Sequence, residues 1–383
     1  MKKLLSLALT LLMMISAFVI PGTAAQGKSV QKKPNTYVAS EAFYNTSKGL
    51  FYAHEYDIMF KGKYGKIKKI VNWREDEDIC KFYVRKDTLY YNGADFNLHA
   101  VKTSGKNDTV IYDCKNYGVR VIGGYGSGVI IEEGYKVRML KNNKVTTLIK
   151  KATGEINLFD GKIYYGNKKV YNLETGKTKS FKVKKIMVSK NYLYYINVNN
   201  KLKRVAKNTG EKDTLATNVK DIYGANNGQS VIFSKLNGEN DEVLYRRTGL
   251  DKAYTLCTLS DIVKVMSKTY TIDENNPYYI EGGAFASGKV CFSLVDKDHE
   301  TGMPAMVQVN SKGGTPSMLF DVTKDDLRKE LLKIGFGYTY GYPVLSGFGF
   351  GKLCSINNIL FFREPVEDPD CEMYGRSVGI EVK

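Results

Sequence analysis

The chain has 383 residues, with 57 Lys and Arg against 40 Asp and Glu and a formal net charge of +17. Only ten of the bases are arginine and there is one Trp, so the bidentate base and phosphate contacts of nucleic-acid readers have little to draw on, and no nucleic-acid partner is expected. Six cysteines (Cys80, Cys114, Cys257, Cys291, Cys354, Cys371) stand singly, with no C-x-x-C pair and no His at metal spacing, which argues against zinc.

Residues 1–25 read as a secretory signal: Lys2-Lys3, an apolar run from Leu4 to Ile20, the breaker Pro21-Gly22, and Thr23-Ala24-Ala25 for cleavage. The apolar run is about 17 residues, the short edge of a membrane span, and no other stretch approaches it. No cysteine follows the cleavage site, which argues against a lipid anchor. The expectation is an exported, soluble, monomeric protein without a transmembrane anchor, with a flexible segment at 26–35 and a single domain over 36–383. Without Lys2 and Lys3 the chain keeps 55 basic against 40 acidic residues, an excess that suits lysines on the wet faces and edges of strands, or attraction to an anionic cell-wall polymer or membrane surface.

Eight apolar-aromatic runs then recur: Leu50-Phe51-Tyr52, Leu89-Tyr90-Tyr91, Val129-Ile130-Ile131, Ile163-Tyr164-Tyr165, Leu193-Tyr194-Tyr195, Val231-Ile232-Phe233, Val290-Cys291-Phe292 and Leu360-Phe361-Phe362, with centres 39, 40, 34, 30, 38, 59 and 70 residues apart. Repeats of this period mark propellers and solenoids. Upstream of each run lies an apolar segment, reached across a tight turn such as Ser127-Gly128, Asp160-Gly161, Asn226-Asn227-Gly228, Ser287-Gly288 or Asn357-Asn358, whose residues tolerate the positive φ of short hairpins. A third strand follows (Lys201 to Val205, Val243 to Tyr245), then a second turn at Ser104-Gly105, Thr175-Gly176, Thr209-Gly210, Thr248-Gly249 or Gly313-Gly314. A fourth apolar segment ends in Ile111, Leu148, Phe181, Leu215, Leu256 or Leu319. Four antiparallel strands per unit make a propeller blade.

The pattern of Leu-Tyr-Tyr, polar loop, short strand, Thr-Gly and Leu resembles the repeat of secreted bacterial propellers of the TolB-like and YWTD-like kind, over about residues 36 to 383. The resemblance implies an all-β propeller of four-stranded blades and carries over no catalytic residue; the Tyr-Trp-Thr-Asp tetrapeptide itself is absent. Eight blades are favoured, with seven as the alternative, and a β-solenoid or a pair of sandwiches shares the same alternation of strand and turn. In the last unit a third strand near Arg376 to Val382 consumes the chain, so ring closure is expected to use the N-terminal segment Asn35 to Phe43 or residues just before it. Two helical insertions are predicted between a fourth strand and the next first strand: Ser260 to Met266, capped by Ser260, and Thr323 to Leu332, with a Thr-x-x-Asp cap.

Strand parity sorts the loops onto two faces. Trp73, Asp76, Glu77, Asp95, Glu132, Asp296, Asp298, Glu367 and both helices fall on one, while Gly105, Gly176, Gly210, Gly249 and lysines such as Lys102, Lys144 and Lys177 fall on the other, so the molecule is expected to be electrically polarised. Residues 335–351 set Phe336, Tyr338, Tyr340 and Tyr342 at period two among glycines, a stacking platform for sugars if exposed and inter-blade packing if buried. Asp296 to Glu300 alternates oxygen donors but lacks the Gly and Glu spacing of a calcium loop, so no metal or other cofactor is expected. There is no Gly-x-Ser-x-Gly elbow and no His-Glu-x-x-His, and with three histidines in the chain His99 reads as structural.

The expectation is therefore a non-enzymatic propeller that binds a glycan, a peptide or a cell-wall component through Trp73, Asp76, Glu77, Asp296, Asp298, Tyr338, Tyr340 and Tyr342. The alternatives are a glycan-active hydrolase or lyase using carboxylates of the same face, and a wall-associated structural protein held by its basic face.

Overall fold

All eight apolar-aromatic runs lie on the second strand of their own antiparallel sheet: Gly49–His54, Thr88–Asn92, Gly128–Glu133, Lys162–Tyr165, Tyr192–Asn197, Ser230–Leu236, Lys289–Asp296 and Ile359–Glu367. The computed structural model describes residues 34–382 apart from 40–42, 55–56, 63–66, 73–80, 94, 115–117, 227, 270–277, 297–304, 322–353, 357–358 and 368–372. Asn35–Lys383 forms one compact unit. Within it the sheets follow in chain order as meanders, each strand paired to its predecessor. Six sheets have four strands; the third carries a fifth, and the eighth has three among the described residues. This is β-propeller repeat architecture.

Successive side chains on a strand point to opposite faces, and here each face meets a different neighbouring sheet. Tyr91 packs between the first and second sheets and Tyr90 between the second and third. Tyr165 and Tyr164 divide in the same way between the third-fourth and fourth-fifth junctions, and Phe233 and Ile232 between the fifth-sixth and sixth-seventh. Both faces of these second strands are thus buried, which is why the segments read as continuous apolar runs rather than alternating ones. The first strands of successive sheets touch one another from the first sheet to the eighth, and Met373–Glu381 of the eighth lies against Gly49–His54 of the first.

The hairpins behave as the turn residues require. Asp160 and Gly161 take φ of 45° and 70°, and Ser287 and Gly288 take 49° and 73°, which matches the two positive values of a type I′ turn. A feature not legible in the pattern is a β-bulge in the first strand of the third, fifth, sixth and seventh sheets, at Val121/Gly123, Val183/Lys185, Ile222/Gly224 and Ile280/Gly282.

Among the described residues the N-terminal segment does not close the last sheet. Phe43–Asn45 is the first strand of the first sheet, held by pairing of Phe43 with Tyr52 and by burial of Phe43. Thr36–Val38 pairs instead with Val119–Tyr125, adding a strand at the edge of the third sheet's first strand. Glycine makes this possible. A Cβ on Gly123, whose φ is 147°, would stand 2.0 Å from the Tyr37 carbonyl oxygen. The segment is pinned at both ends, with the Gly126 N–H donating to the Asn35 carbonyl (2.9 Å) and the Ala39 N–H to the Ile122 carbonyl (3.0 Å). In addition, the Gly161 N–H donates to Thr36 Oγ1 (2.8 Å).

The first predicted helix is present as Leu259–Met266, but its cap is Thr258 rather than Ser260. Thr258 is extended (φ −101°, ψ 163°), its hydroxyl accepts the Asp261 N–H (3.0 Å), and its own N–H donates to the Asp261 carboxylate (2.9 Å). This reciprocal box satisfies two orphan donors, where Ser260 as cap would satisfy one. Ile262 and Met266 bury the helix against the sixth-seventh junction. The helix predicted over Thr323 to Leu332 lies outside the described residues. Cys114, Cys257 and Cys291 are buried free thiols, and burial pushes the last two up to about 12.

Candidate binding face

Backbone hydrogen bonds sort the loops onto two faces. On one, the turn between first and second strands bonds to the turn between third and fourth in the same sheet: Thr103 N–H to Asp87 carbonyl (2.7 Å), Leu173 to Gly161 (2.9 Å), Lys207 to Asn191 (2.9 Å), Gly249 to Gln229 (3.0 Å) and Ser311 to Gly288 (2.9 Å). On the other, the connection between sheets bonds to a turn between second and third strands: Val119 N–H to Phe96 carbonyl (3.0 Å), Ala152 to Tyr135 (2.7 Å), Val183 to Asn167 (2.9 Å) and Val219 to Asn200 (2.9 Å). We call these the turn face and the insertion face.

Connection length separates them sharply. No connection on the turn face exceeds the six residues of 103–108 and 311–316. Those on the insertion face include 73–81, 259–277, 297–304 and 322–353. Short turns leave little chain to shape a site, whereas long connections on a rigid scaffold are where binding residues concentrate.

Of the sequence-predicted site residues, Asp296 ends the second strand of the seventh sheet and pairs with Tyr278, at the insertion-face end beside the connection that carries the helix. Trp73, Asp76, Glu77, Asp298, Tyr338, Tyr340 and Tyr342 lie outside the described residues. The predicted separation of the two sets holds for the residues that are described. Gly105, Gly176, Gly210 and Gly249 are all in third-to-fourth-strand turns, whereas Glu132, Asp296 and Glu367 sit at the opposite ends of second strands.

Among the described residues of the third to fifth sheets the expected charge polarisation does not hold. The exposed Lys136, Lys150, Lys151, Lys168, Lys182, Lys184, Lys201 and Lys220 also belong to the insertion face, because they sit on the second-third turns and inter-sheet connections of the third to fifth sheets. Several acids there are engaged. Glu132 accepts from Arg120 Nε (2.7 Å), Glu133 pairs with Arg138 (2.6 Å), and Asp221 pairs with Lys185 (2.6 Å). The buried Glu242 accepts the Tyr223 hydroxyl and pairs with Lys220. On the turn face arginines tie neighbouring sheets, Arg85 to the Gly126 carbonyl (3.2 Å) and Arg246 to the Ser311 carbonyl (3.3 Å), a structural use for part of the small arginine complement.

His99 is on a third strand, as predicted, and is held on both sides. Its Nδ1 lies 3.3 Å from Asp108 and its Nε2 3.0 Å from Asp95, while the Tyr91 hydroxyl donates to Asp108 (2.5 Å). The hydrogen bond to Asp108, with that to Asp95, raises the His99 pKa against burial. Burial works against the charge of both carboxylates, but hydrogen bonds from Asn97 and His99 to Asp95, and from His99 and Tyr91 to Asp108, lower them. The raised His contributes stability that is complete below its unfolded value, about 6.5, and fades as pH rises through the folded value. The lowered acids contribute above their unfolded value, about 3.9, and fade as pH falls through the folded ones. The stability advantage of wild type over His99→Gln is therefore expected to peak near about pH 5 to 6 and to shrink above about pH 7. Urea unfolding of both proteins across pH checks this.

No family model and no curated protein sequence matches the chain. Solved structures do. The computationally designed Ika8 protein superposes with a TM-score of 0.50 at 10% identity, covering 91% of this chain and 98% of its own. BamB from Moraxella catarrhalis gives 0.47 at 11% identity (92% and 97% covered), and YCF48, solved bound to D1 peptide, gives 0.44 at 10% identity (92% and 95%). At such identities the likeness shows the fold alone.

Proposed function

We propose that this protein is an exported, monomeric eight-bladed propeller that binds a ligand without transforming it, through the insertion face. The observation that carries the reading is the confinement of every long connection to that face. The opposite face is finished by turns of six residues or fewer. The first 25 residues supply the export signal, 26–35 the linking segment, and Met373–Glu381 against Gly49–His54 supports closure between the eighth sheet and the first. Trp73, Asp76, Glu77, Asp296 and Asp298 belong to connections or strand ends of this face, and Tyr338, Tyr340 and Tyr342 to the connection 322–353, so a glycan or peptide would meet aromatic and carboxylate side chains together.

Binding fits better than glycoside cleavage for Glu132, Glu133, Asp221 and Glu242, since cleavage needs a carboxyl pair free to change protonation and these four are committed to cationic partners. The test is a glycan and peptide array probed with the mature chain and with a variant in which residues 322–351 are replaced by a short turn. Loss of at least about tenfold in affinity, about 1.4 kcal/mol, is expected for the variant on any ligand the mature chain selects. Equal binding by both, or turnover of a bound glycan, would sink the proposal.

A further inference from the structure

The insertion face of the third to sixth sheets carries a continuous ribbon of hydrogen-bonded loops. The turn at Tyr135 accepts the Ala152 N–H from the connection 150–155. A Cβ on Gly166, in the fourth sheet's turn, would stand 2.8 Å from the Thr153 carbonyl oxygen of that connection, so the two backbones are in contact. Asn167 in the same turn accepts the Val183 N–H and donates from Nδ2 to the Lys184 carbonyl (3.2 Å). The Lys184 ammonium reaches Asn200 in the fifth sheet's turn, Asn200 accepts the Val219 N–H, and Lys185 and Lys220 pair with Asp221 and Glu242. Each loop is thus fixed by the next, which holds the side chains along it in a fixed order.

What those side chains present is predominantly cationic. Lys136, Lys150, Lys151, Lys168, Lys182, Lys184, Lys201 and Lys220 are exposed along the ribbon. Its acids are the exposed Glu155 and Glu239, the half-buried Asp241, and the paired Glu132, Glu133, Asp221 and Glu242. The turn face mixes signs instead: Lys102 pairs with Asp87 (2.9 Å), and the exposed Glu174 and Glu211 share their turns with Lys177 and Lys207. The net charge of the chain is therefore not spread evenly. A row of like charges on a braced scaffold raises the local concentration of an opposite charge and costs little reordering when that charge arrives.

We propose that this ribbon is a docking track for a flexible, unbranched polyanion bearing phosphate groups and no bases. Lysine is a point charge suited to a single phosphate oxygen shell, and the third sheet's arginines beside the track, Arg120 and Arg138, are taken by Glu132 and Glu133. Single-stranded nucleic acid needs successive aromatic platforms for its bases, whereas the described ribbon exposes one aromatic ring prominently, Tyr135. The proposal rests on the reading of the insertion face as the binding face, but not on the connection 322–353.

The test uses inorganic polyphosphate as the probe, with isothermal titration at several salt concentrations. Two variants of the mature chain are compared: K151Q/K168Q/K182Q/K201Q on the ribbon, and K106Q/K144Q/K177Q/K190Q on the turn face, which lowers net charge equally. Circular dichroism melting confirms that both fold. The ribbon variant is expected to bind at least about tenfold more weakly and to lower the slope of log affinity against log salt by about 3, while the turn-face variant stays within about twofold of the parent. Equal losses in the two variants would reduce the effect to net charge and overturn the proposal, as would absence of polyphosphate binding by the parent. A single-stranded DNA of matched charge that bound more tightly would replace the assigned partner class and overturn it too. The protein lacking residues 322–351 should keep its polyphosphate affinity. Loss there would move the site off the ribbon, whereas the glycan and peptide arrays judge the broader reading separately.

Discussion

Phe233→Ala is expected to cost about 3–5 kcal/mol of folding stability, read as a lowered urea midpoint with the slope unchanged. Phe233 is wholly buried between the fifth and sixth sheets, facing Tyr194, Ile196, Leu202 and Leu215 of the fifth and flanked by Ile222 and Val231 of its own sheet. Its ring stacks on Tyr245 at 5.4 Å. Truncation removes the ring's transfer free energy and leaves a cavity that two hydrogen-bonded sheets cannot collapse to fill. Phe233→Leu keeps most of the volume and should cost under about half as much. Near-wild-type stability of the alanine variant would mean that the fifth and sixth sheets do not share a core, and the assignment of the run to a doubly buried second strand would fall.

Gly224→Ala should destabilise by about 3 kcal/mol, at the upper end for overpacking. A Cβ there would stand 1.9 Å from the Gly283 carbonyl oxygen and 2.8 Å from its carbon, so the obstacle is backbone and no rotamer relieves it. The first strands of the sixth and seventh sheets would have to part. Gly210→Ala supplies the contrast: nothing lies within 4 Å, and its φ of 70° leaves only the left-handed penalty, about 1–2 kcal/mol. If the two substitutions cost the same in a thermal melt, the close approach of these strands is not a determinant of stability.

Much of this fold was legible because each second strand is buried on both faces. An element that must satisfy two neighbours has little freedom in composition, and the resulting Leu-Tyr-Tyr and Val-Ile-Phe runs located all eight strands. The N-terminal strand was misplaced for the opposite reason. Thr36–Val38 is three residues long and has no periodicity of its own, and its destination is set by the space that Gly123 leaves at a distant strand edge. The helix cap was readable and was misread, since Thr258 and Asp261 stand at the capping-box spacing two residues before the position chosen.

The candidate face was legible through parity, but its charge was not, because the acids of the loops were sorted while lysines of the same loops, such as Lys151 and Lys182, were not. The clamp around His99 was beyond reach, since it depends on Asp108 folding back across a hairpin.

The central claim is that binding belongs to the insertion face, and hydrogen exchange of the mature chain with and without the ligand selected on the array tests it most directly. Amides at 73–81, 258–267, 296–304 and 322–353 should gain protection, and those at 85–88, 102–109, 159–162, 206–212 and 248–254 should not change. Protection centred on the second set would place the ligand on the turn face and contradict the account.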